Sequence, residues 1–99
     1  MKSFLYEVRS PLGIHARPAA LVAQSCVGLS SQITLRCGDR TANGSNVLQI
    51  LALHAKKGDR LEIIAEGGDE DAALATVKKV LWEAYRDHAK VDQIVRAHV

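Results

Sequence analysis

The chain has 99 residues, 47% apolar and 24% charged, with a formal net charge of +2, a size and composition that suit one domain around one core. Four aromatic residues (one Phe, one Trp, two Tyr) and two short basic pairs, Lys56-Lys57 and Lys78-Lys79, argue against a nucleic-acid surface. No run approaches the roughly 18 apolar residues of a membrane helix, and Met1-Lys2-Ser3-Phe4 starts a strand without an apolar leader, so neither membrane insertion nor export is expected and the chain is read as cytoplasmic.

Phe4, Tyr6 and Val8 alternate with Leu5 and Glu7, which predicts a half-buried first strand. Ser10-Pro11-Leu12-Gly13 is loop punctuation. It leads to Ile14-His15-Ala16-Arg17-Pro18-Ala19-Ala20, where Pro18 is tolerated only in a first helical turn. His15 therefore falls at or beside the N-cap, next to backbone donors without intrahelical partners and the positive end of the helix dipole. Arg17 adds a planar fork of charged donors. Both neighbours disfavour a second positive charge on the imidazole, which keeps a lone pair for attack. Such a helix start suits a dianion such as phosphate, held by Arg17 and the amides of Ala16 and Arg17.

Ala19, Val22, Ala23 and Cys26 recur at helical spacing, and Gly28 stops that helix. Ile33, Leu35 and Cys37 predict a second strand, and Gly38-Asp39 a two-residue hairpin into a third, Arg40 to Ala42. Val47, Leu48, Ile50, Leu51 and Leu53 form a short apolar helix with Ser45 or Asn46 as its cap. It holds more apolar residues than one buried face can take. Lys57-Gly58-Asp59 turns into a fourth strand, marked by Leu61, Ile63 and Ala65. Gly67-Gly68-Asp69 caps a third helix with Glu70 and Asp71 in its first turn and Leu74, Val77, Leu81, Ala84 and Tyr85 as its stripe. The order β-α-β-β-α-β-α predicts an α+β domain of two layers, a four-stranded antiparallel sheet with helices on one face. Cys26 and Cys37 lack metal-ligand spacing and read as reduced structural residues, so no disulfide, metal or cofactor is expected.

The run from Gly13 to Ala20 resembles the active-site loop of the histidine-containing phosphocarrier (HPr) proteins of the bacterial sugar phosphotransferase system, whose hallmark is Gly-Ile/Leu/Met-His-Ala/Thr-Arg-Pro-Ala. The likeness continues in register through Asn43, Lys57-Gly58 and Ala65-Glu66-Gly67 to about Leu81. It implies an open-faced sandwich with sheet order 1-4-2-3. It implies a carrier that is not itself an enzyme: enzyme I, charged from phosphoenolpyruvate, phosphorylates Nδ1 of His15, and the group passes to a sugar-specific component. It also implies a docking face from Ala20 and Leu21 on the first helix and Val47, Leu48 and Leu51 on the second.

Two departures stand out. The family's regulatory serine, which caps the second helix, is Asn46 here, and Ser45 replaces it only if the turn shifts by one residue. The basic residues often found on the first helix are replaced by Gln24 and Val27, with Gln49 on the second, which weakens steering toward an acidic partner. Residues 1–88 form the phosphocarrier-like domain, and 89–99 extend it with Val91, Ile94, Val95 and His98 in helical rhythm. Either the last helix breaks near His88–Asp92 and folds back, or it projects and meets another subunit. His54, His88 and His98 read as surface residues. Two other roles stay open: a carrier in a regulatory, nitrogen-type relay, and an interaction module whose affinity is tuned by phosphorylation.

Overall fold

Strand alternation and helical spacing are realised as seven elements in a computed structural model that describes the backbone of residues 1–97 and the side chains of residues 1–85. They are β1 (Lys2–Glu7), α1 (Ala16–Val27), β2 (Gln32–Cys37), β3 (Arg40–Asn43), α2 (Val47–Ala52), β4 (Arg60–Glu66) and α3 (Glu70–Ala97). The strands form one antiparallel sheet in the order β1-β4-β2-β3, the order that the resemblance implied.

Each strand divides its side chains between two faces because successive Cβ atoms alternate. Leu61, Ile63 and Ala65 of β4, Ile33 and Leu35 of β2 and Ala42 of β3 point inward and are buried. They meet Ala19, Val22, Ala23 and Cys26 of α1, Ile50 of α2 and Ala73, Val77 and Leu81 of α3 in a single core. The opposite face is uncovered. There Leu5 is 66% exposed, and Arg36 on β2 pairs with Glu62, directly across on β4. The hairpin closes as the dipeptide predicted: Cys37 faces Arg40, and Gly38 takes φ +63° at the first central position, where glycine meets no Cβ penalty.

The buried stripe of α3 is Ala73, Val77, Leu81 and Ala84, not the expected run beginning at Leu74. Leu74 is only half-buried, packed at the core's edge. The small Ala73 side chain occupies the seam and lets the helix start lie close on the sheet. The Asp69 side chain also differs from expectation. Its backbone carbonyl accepts from Ala73 N–H at 2.8 Å, as a helix start requires, but its carboxylate turns away from its own helix. Oδ1 accepts from Ser31 N–H at 2.7 Å and from the Ser31 hydroxyl, and Oδ2 accepts from Ser30 N–H at 3.1 Å. Ser31 Oγ accepts in turn from Asp69 N–H at 3.2 Å. This reciprocal set ties the start of α3 to the loop after α1.

The helical rhythm does not break near His88–Asp92. The backbone of α3 runs unbroken for 28 residues, through residue 88, about 42 Å at 1.5 Å per residue, along a molecule 49 Å in its longest dimension. No Gly or Pro interrupts it. His98 and Val99, and the side chains of His88, Val91, Ile94 and Val95, lie outside the described residues. Among the described residues, no helix is long and apolar enough to cross a membrane.

The Asp69 network makes stability pH-dependent. Its hydrogen bonds, chiefly that from Ser31, hold the carboxyl below its ordinary 3.8. A depressed folded-state value contributes stability above the unfolded value and loses it as pH falls. Asp69→Asn is expected to lower the urea midpoint at pH 7, and the gap to the parent should close as pH falls below about 4. A gap independent of pH would show that the charge plays no part.

Candidate functional site

The segment between β1 and α1 is fixed by backbone bonds to the turn before β4. Val8 N–H donates to the Asp59 carbonyl at 2.9 Å, Gly58 N–H donates to the Val8 carbonyl at 2.8 Å, and Ile14 N–H donates to the Ala55 carbonyl at 3.0 Å. Between these points a tight turn closes with Gly13 N–H donating to the Ser10 carbonyl at 2.9 Å, while buried Ser10 offers Oγ to Leu12 N–H. Gly13 sits at φ +68°, and a Cβ built there would lie 2.3 Å from the Ala55 oxygen. Glycine is required twice over, for its torsion and for its lack of a side chain.

This path delivers His15 to the N-cap of α1, as its position before Pro18 predicted. His15 has extended torsions (φ −103°, ψ −170°), and its carbonyl accepts the first helical bond, from Ala19 N–H at 3.1 Å. Its half-buried side chain is not used as the helix cap. Ala16 and Arg17 are the first residues of the helix and are exposed, whereas Pro18 is buried beneath them and has no N–H. His15 and Arg17 thus both belong to the start of α1, at its positive end. On its inner side His15 borders a cleft of about 20 Å³ shared with Tyr6, Ser10, Pro18, Leu81 and Tyr85, room for roughly one water molecule.

The competing nucleophiles are poorly placed. Burial pushes the thiols of Cys26 and Cys37 above their ordinary range, which disfavours the thiolate. Among the described residues, no three His, Cys, Asp or Glu side chains group as metal ligands.

The expected docking residues divide by exposure. Ala20 and Leu21 lie one turn beyond Ala16 and Arg17 and are half-buried. On the adjoining α2, Ile50 and Leu53 turn into the core, Val47 and Leu51 are half-buried against it, and Leu48 is 78% exposed. The helix thus resolves its excess of apolar residues by leaving Leu48 in solvent. Gln24, Val27 and Gln49 are exposed. The cap of α2 is Asn46, whose Oδ1 accepts from Gln49 N–H at 3.1 Å, while Gln49 Oε1 reaches back to Asn43 N–H at 2.8 Å. Ser45 lies one place outside the cap, exposed, its hydroxyl donating to Asn43 Oδ1 at 2.8 Å. Tyr85, read from the sequence as packing alone, also lines the cleft beside His15. Its spacing from Leu81 signals a buried stripe and carries no hint of the histidine 70 positions earlier.

The family described as the PTS HPr component phosphorylation site matches residues 2–83 of this chain. The chain is 35% identical over 83 residues to the phosphocarrier protein HPr of Lysinibacillus sphaericus, a match covering 84% of this chain and 94% of that one. It is 31% identical to a segment of the phosphoryl donor subunit DhaM of a phosphoenolpyruvate-dependent dihydroxyacetone kinase from Providencia stuartii, covering 82% of this chain and 17% of that one. A solved histidine-containing phosphocarrier protein from Mycoplasma superimposes with a TM-score of 0.83 at 27% identity, covering 85% of this chain and 96% of that one.

Gly13→Ala is expected to cost about 2 kcal/mol or more, because it combines a left-handed torsion with a backbone clash. Gly28→Ala, with an ordinary torsion and no atom within 4 Å, should stay within about 0.5 kcal/mol of the parent. Urea unfolding of the two variants checks the contrast, and equal losses would remove the special role given to Gly13.

Proposed function

The chain belongs to the HPr family, the phosphocarriers of the phosphotransferase system, and on that premise we propose that His15 is its phosphoryl acceptor. The observation that carries this reading is the place of His15 at the N-cap of α1, with Arg17 two residues on. A phosphocarrier is not an enzyme in its own right. It holds a group that partner proteins load and remove.

In the loading step the lone pair of Nδ1 attacks phosphorus in line with the bond to the donor. The N–P bond forms as the donor bond breaks, the bonding pair leaves with the donor, and the ring proton stays on Nε2. Transfer of this kind needs mainly positioning and charge stabilisation. Arg17 and the first-turn amides of Ala16 and Arg17 supply the charge, and the pinned loop supplies the position. Unloading is the same displacement in reverse, with an acceptor nucleophile replacing the donor.

Enzyme I is the proposed donor, and sugar-specific components are the proposed acceptors. Val47, Leu48 and Leu51 of α2, with Ala20 and Leu21 of α1, form the apolar face on which these partners dock. A second reading, service in a regulatory relay, draws on the exposed Gln24 and Val27 where the family often carries basic side chains. A weaker positive field there suits a different upstream enzyme.

With phosphoenolpyruvate and enzyme I, the chain should gain one acid-labile, alkali-stable phosphohistidine, and His15→Ala should gain none. Equal labelling of that variant would refute the assignment. Arg17→Ala should slow transfer about ten- to a hundredfold, as expected for one charge-assisted contact of roughly 1.5–3 kcal/mol.

Leu48→Asp should impair transfer while leaving the unfolding midpoint unchanged, because Leu48 is already in solvent. Unaltered transfer rates would remove α2 from the docking face.

A further inference from the structure

Every aromatic side chain of the protein lines one surface groove of about 280 Å³: Phe4 and Tyr6 of β1, Trp82 and Tyr85 of α3. Trp82 is 49% exposed. From β1 the groove takes the unbroken run Phe4 to Glu7. Successive strand residues point to opposite faces of a sheet, so a groove bordered by four in a row lies along the strand's edge. β1 stands at the end of the sheet and, among the described residues, pairs only with β4. The groove therefore follows its other edge, where alternate residues present N–H and C=O groups without a ladder partner.

The charges along this edge are of one sign. Lys78 Nζ stands 5.9 Å from the Phe4 ring centroid, and Arg9 lines the groove beyond Glu7. Both are exposed, and among the described residues neither has an ion-pair partner. The carboxylates at the start of α3 are engaged: Glu70 pairs with the Met1 ammonium at 3.0 Å and Asp71 with Lys2 at 2.8 Å. Glu7, also on the groove, faces Arg60 across the ladder, which offsets its charge. The groove is thus apolar along its middle, with a cation at each end.

We propose that the free edge of β1 and the aromatic wall of α3 form a docking groove for an extended peptide segment of a partner protein, apolar at its centre and acidic at both ends. The segment adds to the sheet beside β1, and main-chain hydrogen bonds supply its register. Its central side chain enters the groove between β1 and Trp82, and its carboxylates reach Lys78 and Arg9. This surface involves neither α2 nor the acceptor role of His15, so the inference stands apart from both.

Trp82 is the one tryptophan of the chain, so its fluorescence reports occupancy directly. The full chain is titrated with end-blocked peptides Glu-Val-X-Val-Glu, in which X is Phe, Leu or Val. At least one should give a saturable change, with amide NMR shifts along β1; no saturable change from any of the three overturns the proposal. Lys-Val-X-Val-Lys should bind about fivefold or more weakly, as should Glu-Val-X-Val-Glu to Lys78→Glu or Arg9→Glu, since two exposed ion pairs become repulsive or one is reversed. Equal binding in these comparisons overturns the charge complementarity and the proposal with it. Two N-methylated peptides, one blocked on both valines and one on the remaining residues, remove the donors of one backbone edge each. At least one should lose binding, and undiminished binding of both would reduce the groove to a pocket for side chains alone, contrary to strand addition. Sedimentation should find the free chain monomeric; a dimer that the peptides dissociate would make a second copy the occupant and overturn the choice of a partner peptide.

Discussion

The contact between Gly13 and the Ala55 carbonyl is the constraint on which the rest turns. A backbone carbonyl occupies the space that any other residue's Cβ would need, and the neighbouring amide of Ile14 bonds to that same carbonyl. Together with the two bonds between Val8 and Gly58–Asp59, it lays the chain leaving β1 along the turn entering β4. From there only one path leads into α1, and that path ends with His15 at the helix mouth. The chemistry at the histidine is thus set by backbone geometry some 40 residues away in sequence and adjacent in space.

The sheet order explains why that distant turn is available. β4 inserts between β1 and β2, so the last strand made becomes a central one, and its inward side chains Leu61, Ile63 and Ala65 are fully buried. Such non-local pairing is slow to form because loops must close before the contacts repay them. It also means that the His15 loop and the helix start it feeds are completed only when β4 is in place. The reciprocal bonds between Asp69 and Ser31 fasten the other end of the helix layer in the same way.

Much of this was legible in the chain because it rests on local rules. Pro18 in a first turn located the start of α1, Gly38-Asp39 located the hairpin, and alternation in β2 and β4 located the inward face. The strand order came from resemblance, since periodicity says which face is buried and not which strands are neighbours. What stayed hidden depends on contacts between segments far apart in sequence. Asp69 looks like a helix cap until Ser31 is beside it; Leu74 looks like a core residue until the sheet's closeness favours Ala73. Asn46 and Ser45 are equally good caps on paper, and the reach of Gln49 back to Asn43 selects between them. Tyr85 obeys the spacing of a packing residue, and only the fold sets it beside His15. The sequence, which has no Gly or Pro near His88–Asp92, leaves open whether α3 breaks there or runs on, and the backbone runs on unbroken.

The uncovered face of the sheet has a thermodynamic consequence. Among the described residues, helices cover one side only and the buried side chains form a single apolar layer. Those residues include no second compartment that could stay ordered while the rest melts, so an all-or-none denaturation is expected. Any lesion in that layer, however remote from the histidine, therefore lowers the fraction of molecules competent to carry their cargo in proportion to its effect on the whole.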